Sequence, residues 1–117
     1  RAEFRPGRRV LIIGGGYIGL EAAAVAARLG LDVTVIEMAS RILARVAAQE
    51  TSNYIRALHM AQGVIILEAV GLAHLTGHWG RVTGAVLADG RALPADFVIA
   101  GVGVTPNTQL AEAAGLA

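Results

Sequence analysis

A chain of 117 residues, 55% of them apolar, can bury one hydrophobic core and is too short for two ordinary domains. Its formal charge of +1 balances ten basic residues, all arginine, against nine acidic ones, which argues against a polybasic nucleic-acid surface. Cysteine is absent, which excludes a disulfide scaffold, a thiolate metal site and a redox dithiol within this sequence.

Arg1, Arg5, Arg8 and Arg9 cluster before the first apolar run, and with Pro6-Gly7 among them residues 1–8 read as a solvated lead-in. Residues 9–13, RVLII, are apolar without alternation, as expected of a strand covered on both faces in a parallel sheet. Glycines follow at once. Ile18, Ala22, Val25 and Leu29 then recur at helical spacing and predict an apolar stripe on a helix over 17–29, stopped by Gly30. Residues 32–37, DVTVIE, are rich in β-branched residues and predict a second strand, joined to the first by a right-handed crossover. A second amphipathic helix is predicted over 46–62, its stripe formed by Thr51, Ile55, Leu58 and Ala61, with Gly63 closing it and a third strand at 64–67. Beyond Glu68 the pattern changes. Two apolar stretches flank Asp89-Gly90, a hairpin signal, and the run 69–75 offers a third antiparallel strand. Residues 96–104, DFVIAGVGV, predict a last buried strand.

No apolar run reaches the roughly 18 residues that span a bilayer, so a soluble, cytoplasmic protein without membrane or nucleic-acid partners is expected. The start on Arg1 and the close on EAAGLA suggest a domain excised from a longer protein.

Gly14, Gly16 and Gly19 satisfy G-x-G-x-x-G, a weak signal alone in a chain with fifteen glycines. Its position between a strand and a helix strengthens it. The first glycine turns the chain sharply, the second admits a pyrophosphate close to the backbone, and the third lets the helix pack on the sheet. The helix N-terminus then offers unpaired N–H groups and a positive dipole end to phosphates. Glu37 stands at the end of the next strand, where a carboxylate accepts ribose hydroxyls and favours NAD(H) over NADP(H). Arg41 and Arg45, a few residues on, weaken that exclusion. The fingerprint also serves FAD, so it does not by itself separate the two nucleotides.

VLIIGGGYIGLEAAAVAARLGLDVTVIE, then RILARV, then LPADFVIAGVGVTPNTQLAEAAGL resembles the NAD-binding domain of the FAD-dependent pyridine nucleotide-disulfide reductases, most nearly the NADH-dependent ferredoxin reductases of the putidaredoxin, rubredoxin and biphenyl dioxygenase kind. The resemblance implies a Rossmann-like, three-layer α/β nucleotide-binding domain in which a three-stranded antiparallel meander replaces one crossover helix. It further implies FAD bound mainly outside this sequence, hydride passing from NADH to FAD, and electrons passing on to a ferredoxin or rubredoxin. By position, Gly14, Gly16 and Gly19 match the phosphate loop, Glu37 the ribose acid, and Gly101 and Gly103 backbone beside the bound nucleotide. Arg45 matches a basic position at the adenosine end or a phosphate, with a solvated arginine as the alternative. Tyr17, Ile18 and Glu21 fall among cofactor-contacting positions: Tyr17 where some relatives keep an aromatic lid over the flavin, Glu21 near the nicotinamide. An acid in the first turn of a helix is also stabilised by the dipole alone.

Other chemistries find less support. His74 and His78 have i, i+4 spacing, yet Thr76, Gly77 and Gly80 argue against a helix there, and the two histidines read as loop residues. His59 lacks an acidic neighbour that suggests catalysis, neither Ser40 nor Ser52 sits in a G-x-S-x-G elbow, and Trp79 reads as covering a hairpin end. The alternatives kept open are the NAD(H) domain of a disulfide reductase, an NADH oxidase or a nitrite reductase subunit, and a non-catalytic NAD(H)-binding module. The domain by itself, lacking a flavin site, is expected to bind without turning over.

Overall fold

The structure, a computed structural model, describes residues 7–100. Its elements follow in the order β1 (Arg9–Ile13), α1 (Tyr17–Arg28), β2 (Asp32–Glu37), α2 (Gln49–Ala61), β3 (Ile65–Glu68), β4 (Leu72–His78), β5 (Arg81–Leu87), β6 (Ala92–Pro94) and β7 (Phe97–Ala100). Successive side chains of β1 serve two different cores, because a strand alternates its faces. Val10 and Ile12 pack with Val33, Val35, Phe97 and the α1 alanines Ala23 and Ala26. Leu11 turns the other way, onto Val82, Ala85, Leu87 and Val98. The apolar run without alternation is thus explained by cover on both faces, and each fully buried aliphatic side chain contributes about 1.5–3 kcal/mol.

Two sheets build the fold. β3, β2, β1 and β7 lie side by side in that order, all parallel, and β4, β5 and β6 form an antiparallel meander. The layers are therefore helices, parallel sheet and meander, with the meander standing where a crossover helix would join β3 to β7. Asp89 and Gly90 make the β5–β6 turn, with Gly90 at φ 96°. Beside β1 the chain order reverses, since β2 lies on one side and β7 on the other. Such a switch point leaves a crevice at the carboxyl ends of the strands.

Both helices close alike. Leu31 N–H reaches Ala26 O and Gly30 N–H reaches Ala27 O, while Val64 and Gly63 make the equivalent bonds to His59 and Met60. Gly30 and Gly63 sit at φ 87° and 91°, the left-handed conformation that this ending requires.

The apolar stripes expected on the helices are buried only in part: Ala22 of α1 and Ile55 of α2 pack against the core, and most of each stripe faces outward. On α1, Ile18, Val25 and Leu29 are exposed, and Gly19, Leu20, Ala23 and Ala26 face inward. Small residues are selected there because the helix lies close on the sheet, and a larger side chain would hold it off. α2 starts at Gln49 rather than 46, and its packed side carries Ser52, Ile55, Arg56 and His59, while Thr51, Leu58 and Ala61 are exposed. His59 spans the helix pair, its ring nitrogens each 3.0 Å from the Ile55 and Leu20 carbonyl oxygens. His74 and His78 lie in strand β4, not in a loop, because the strand runs on to a tight turn at Trp79-Gly80. Trp79 stands at that hairpin end and is 88% exposed, covering nothing beyond an edge contact with His78. Arg8, expected in the solvated lead-in, is half-buried with its guanidinium 6.0 Å from the centre of the Phe97 ring, and Arg9 pairs with Asp96 at 3.1 Å. The last predicted strand begins at Phe97, and residues 101–104 lie outside the described residues.

Candidate functional site

At the end of β1 the ladder continues for one bond, from Gly14 N–H to Ile36 O at 2.8 Å, and Gly14 then turns at φ 106°. Gly15 is buried, and a Cβ there would lie 2.7 Å from Ile42 Cγ2. Gly16 precedes the first residue of α1 and has no side-chain cap, and a Cβ added to it would meet nothing within 4 Å. Gly19 lies beneath, where a Cβ would strike the Gly14 carbonyl oxygen. The four glycines therefore answer to different demands: a turn, two close approaches within the protein, and one position open towards the cleft.

Glu37 ends β2 and closes back on the loop. Its Oε1 accepts Gly15 N–H at 2.6 Å and its Oε2 accepts Ala39 N–H at 2.7 Å. An ionised carboxylate offers about four acceptor positions, so each oxygen keeps one for a further donor.

The segment 38–48 forms the outer wall, tied down from several sides. Leu43 N–H donates to Gly15 O at 2.9 Å, Ile42 N–H to Glu68 Oε2 at 2.8 Å, and Ser52 Oγ–H to Ile42 O at 2.7 Å. Glu68 also receives Arg56, at 3.0 Å from Nε and 2.7 Å from Nη2. Burial raises the Glu68 carboxyl, but the hydrogen bonds from Arg56 and Ile42 N–H outweigh it and hold the group below the usual carboxylate range. Arg41 is occupied within the segment, donating to Ala47 O and Ser52 Oγ at 3.1 Å each.

A cleft of about 750 Å³ opens over these groups, lined by Gly14, Gly16, Tyr17, Glu37, Leu43 and Arg45 among others. Arg45 is exposed and has no hydrogen-bond partner among the described residues. The cleft holds an acceptor pair at one place, a cation without a hydrogen-bond partner among the described residues at another, and a helix N-terminus with no acid in its first turn. That combination suits a ligand carrying both vicinal hydroxyls and phosphate.

Of the residues singled out in the sequence, Gly14, Gly16, Tyr17, Glu37 and Arg45 come together at the cleft, and Gly19 supports it from below. Ile18 and Glu21 are exposed on α1 and do not line it. Glu21 falls in the second turn rather than the first, because the helix starts at Tyr17. Gly101 and Gly103 lie outside the described residues. Sequence reasoning passed over Gly15, Leu43, Val70 and Gly71, the last of which lies against Met38. The middle glycine of GGG was the available signal for the first, and nothing local marked the others. Among the described residues no three His, Cys, Asp or Glu side chains are grouped to hold a metal, and no helix is long and apolar enough to cross a membrane.

Comparison with known proteins places this geometry in a wider setting. Residues 1–117 match the pyridine nucleotide-disulphide oxidoreductase family. The chain is 49% identical over 116 residues to "Probable ferredoxin reductase CtmF" of Castellaniella defragrans, covering 99% of this chain and 28% of that protein. It is 38% identical over 117 residues to the ferredoxin–NAD(+) reductase component of the biphenyl dioxygenase system of Paraburkholderia xenovorans, covering 100% and 28%. The solved covalent putidaredoxin reductase–putidaredoxin complex superposes with a TM-score of 0.85 at 40% identity, covering 97% of this chain and 28% of that one. The chain thus spans a little over a quarter of these relatives.

Proposed function

The chain belongs to the pyridine nucleotide-disulphide oxidoreductase family, and we propose that it is the NADH-binding domain of a flavoprotein reductase that delivers electrons to a ferredoxin or rubredoxin. The observation that carries this reading is the joining of the glycine loop to Glu37 across one cleft, at the switch point of a parallel sheet. Relatives named as ferredoxin reductases, one of them as a ferredoxin–NAD(+) reductase, support the reaction class. A relative solved as a covalent complex with putidaredoxin supports a protein partner as the acceptor.

In this reading the residues bind and orient. Gly16 leaves room for the pyrophosphate over the first N–H groups of α1. Glu37 accepts the adenosine ribose hydroxyls on the acceptor positions that Gly15 and Ala39 leave free. Arg45 supplies the cation for the phosphate or adenosine end, and Arg41, held by Ser52 and Ala47, is not available to replace it. Tyr17 borders the cleft on the side of the helix start, where the nicotinamide half continues towards the flavin. FAD, held by other parts of the full-length protein, would supply the chemistry that turns the hydride of NADH into single electrons.

The test is a calorimetric titration with NADH and with NADPH, repeated for Glu37→Ala. Saturable binding that prefers NADH, with the preference lost in the variant, is expected. Equal affinity for both nucleotides in the unaltered protein would remove Glu37 from the role of ribose acid.

A further inference from the structure

Resting on the nucleotide reading above, we infer that Glu68 is a positioning residue for nucleotide binding, acting through the Ile42 N–H to fix the segment 38–48 that carries Arg45. Glu68 ends β3 and does not line the cleft. Its carboxylate nevertheless takes the Ile42 N–H at 2.8 Å as well as the Arg56 guanidinium. An ion pair that served only to tie α2 to β3 would need no such bond.

Three successive backbone groups are held by three different elements. Ile42 N–H is held from β3 by Glu68, Ile42 O from α2 by Ser52, and Leu43 N–H from the glycine loop by Gly15 O. Leu43 itself sits at φ 56°, a conformation that residues with a Cβ adopt only where their surroundings over-determine it. Arg45 follows two residues later. Because its side chain has no hydrogen-bond partner among the described residues, its approach to the cleft is set by the backbone that carries it. Glu68 is the charged member of the clamp and the one that holds the first of the three groups.

The experiment measures NADH affinity and thermal midpoint of the full-length protein for the unaltered sequence, Glu68→Ala, Glu68→Gln and Ser52→Ala. Glu68→Ala weakens NADH binding about tenfold, the effect of losing a charge-assisted hydrogen bond that orders the site. Glu68→Gln keeps a carbonyl oxygen for Ile42 N–H, so its affinity stays within about threefold of the parent although the midpoint falls with the ion pair. Ser52→Ala, a small change that leaves the ion pair intact, weakens binding about threefold and keeps the proposal open to test should Glu68→Ala not fold. In an Arg45→Ala background, Glu68→Ala costs less than about twofold, because the segment no longer has a cation to place. Parental affinity in Glu68→Ala or in Ser52→Ala, equal losses for the two Glu68 variants, or full additivity with Arg45→Ala would each overturn the clamp. Failure of the unaltered protein to bind NADH overturns the nucleotide reading and the clamp with it, whereas NADH binding that Glu68→Ala leaves untouched overturns the clamp alone.

Discussion

Gly15 and Glu37, 22 residues apart, are joined by a 2.6 Å hydrogen bond from the glycine N–H to the glutamate Oε1. The bond makes the acid at the end of β2 a brace for the glycine loop. Glu37 also takes Ala39 N–H, so Glu37→Ala leaves two backbone donors without acceptors. A loss of about 1–3 kcal/mol in unfolding free energy is expected. Amide hydrogen exchange should quicken at Gly15 and Ala39 more than elsewhere in the parallel sheet, and unchanged protection at both would refute the brace.

Gly16 and Gly19 should respond differently to the same added methyl group. Gly19→Ala drives a Cβ into the Gly14 carbonyl oxygen and should destabilise the fold by about 1–3 kcal/mol as α1 shifts off the sheet. Gly16→Ala meets no protein atom at a backbone φ of −87°, so its stability should lie near the parent's while nucleotide affinity falls. Denaturant melts paired with NADH titrations separate the two, and equal stability losses would mean that the open position is not a ligand position.

Acid should weaken the fold through two carboxylates. The Arg9 hydrogen bond and charge hold Asp96 below its usual 3.8 despite some burial, and Glu68 lies below its usual 4.5 although burial opposes the shift. Both groups have lower values folded than unfolded, so the stability they add is complete above the unfolded values and is lost as pH falls through the folded ones. Unfolding free energy should decline below about pH 5, and Asp96→Asn with Glu68→Gln should flatten that decline. A pH series of denaturant midpoints that is equally steep in the double variant would contradict the assignment.

Trp79 and Gly80 make the two-residue turn between β4 and β5, both at positive φ, 56° and 76°. A type I′ hairpin turn requires this and favours asparagine followed by glycine. Trp79 is almost fully exposed and packs on little, so Trp79→Asn should stabilise the fold by about 0.5–1 kcal/mol by relieving the left-handed strain. A lowered thermal midpoint would show that the indole does more for the hairpin than its exposure suggests.

Strand β1, the glycine turn, β2 ending on Glu37, both helix-closing glycines and the antiparallel hairpin at Asp89-Gly90 were legible along the chain, because each is marked by short-range chemistry. Periodicity misled where two faces of a helix were both apolar. Ile18, Val25 and Leu29 form the more hydrophobic stripe of α1, yet Gly19, Ala23 and Ala26 are buried, since close approach to the sheet rewards small size over apolar area. The site divides in the same way. Its glycines and its acid were readable as a motif, but the brace from Glu37 to Gly15 and the hold of Glu68 on Ile42 were not.

The order of residues by itself determined the parallel α/β character, the glycine turn after the first strand and the acid that ends the second, all of which depend on neighbours within a few turns of chain. Only the tertiary structure decided which helix faces are buried, that Arg41 is occupied while Arg45 at the cleft has no partner among the described residues, and that Leu43 is held in a left-handed conformation. Those outcomes depend largely on groups far apart in the chain meeting at fixed distances, and hydrogen bonds of that kind leave no period or spacing in the sequence.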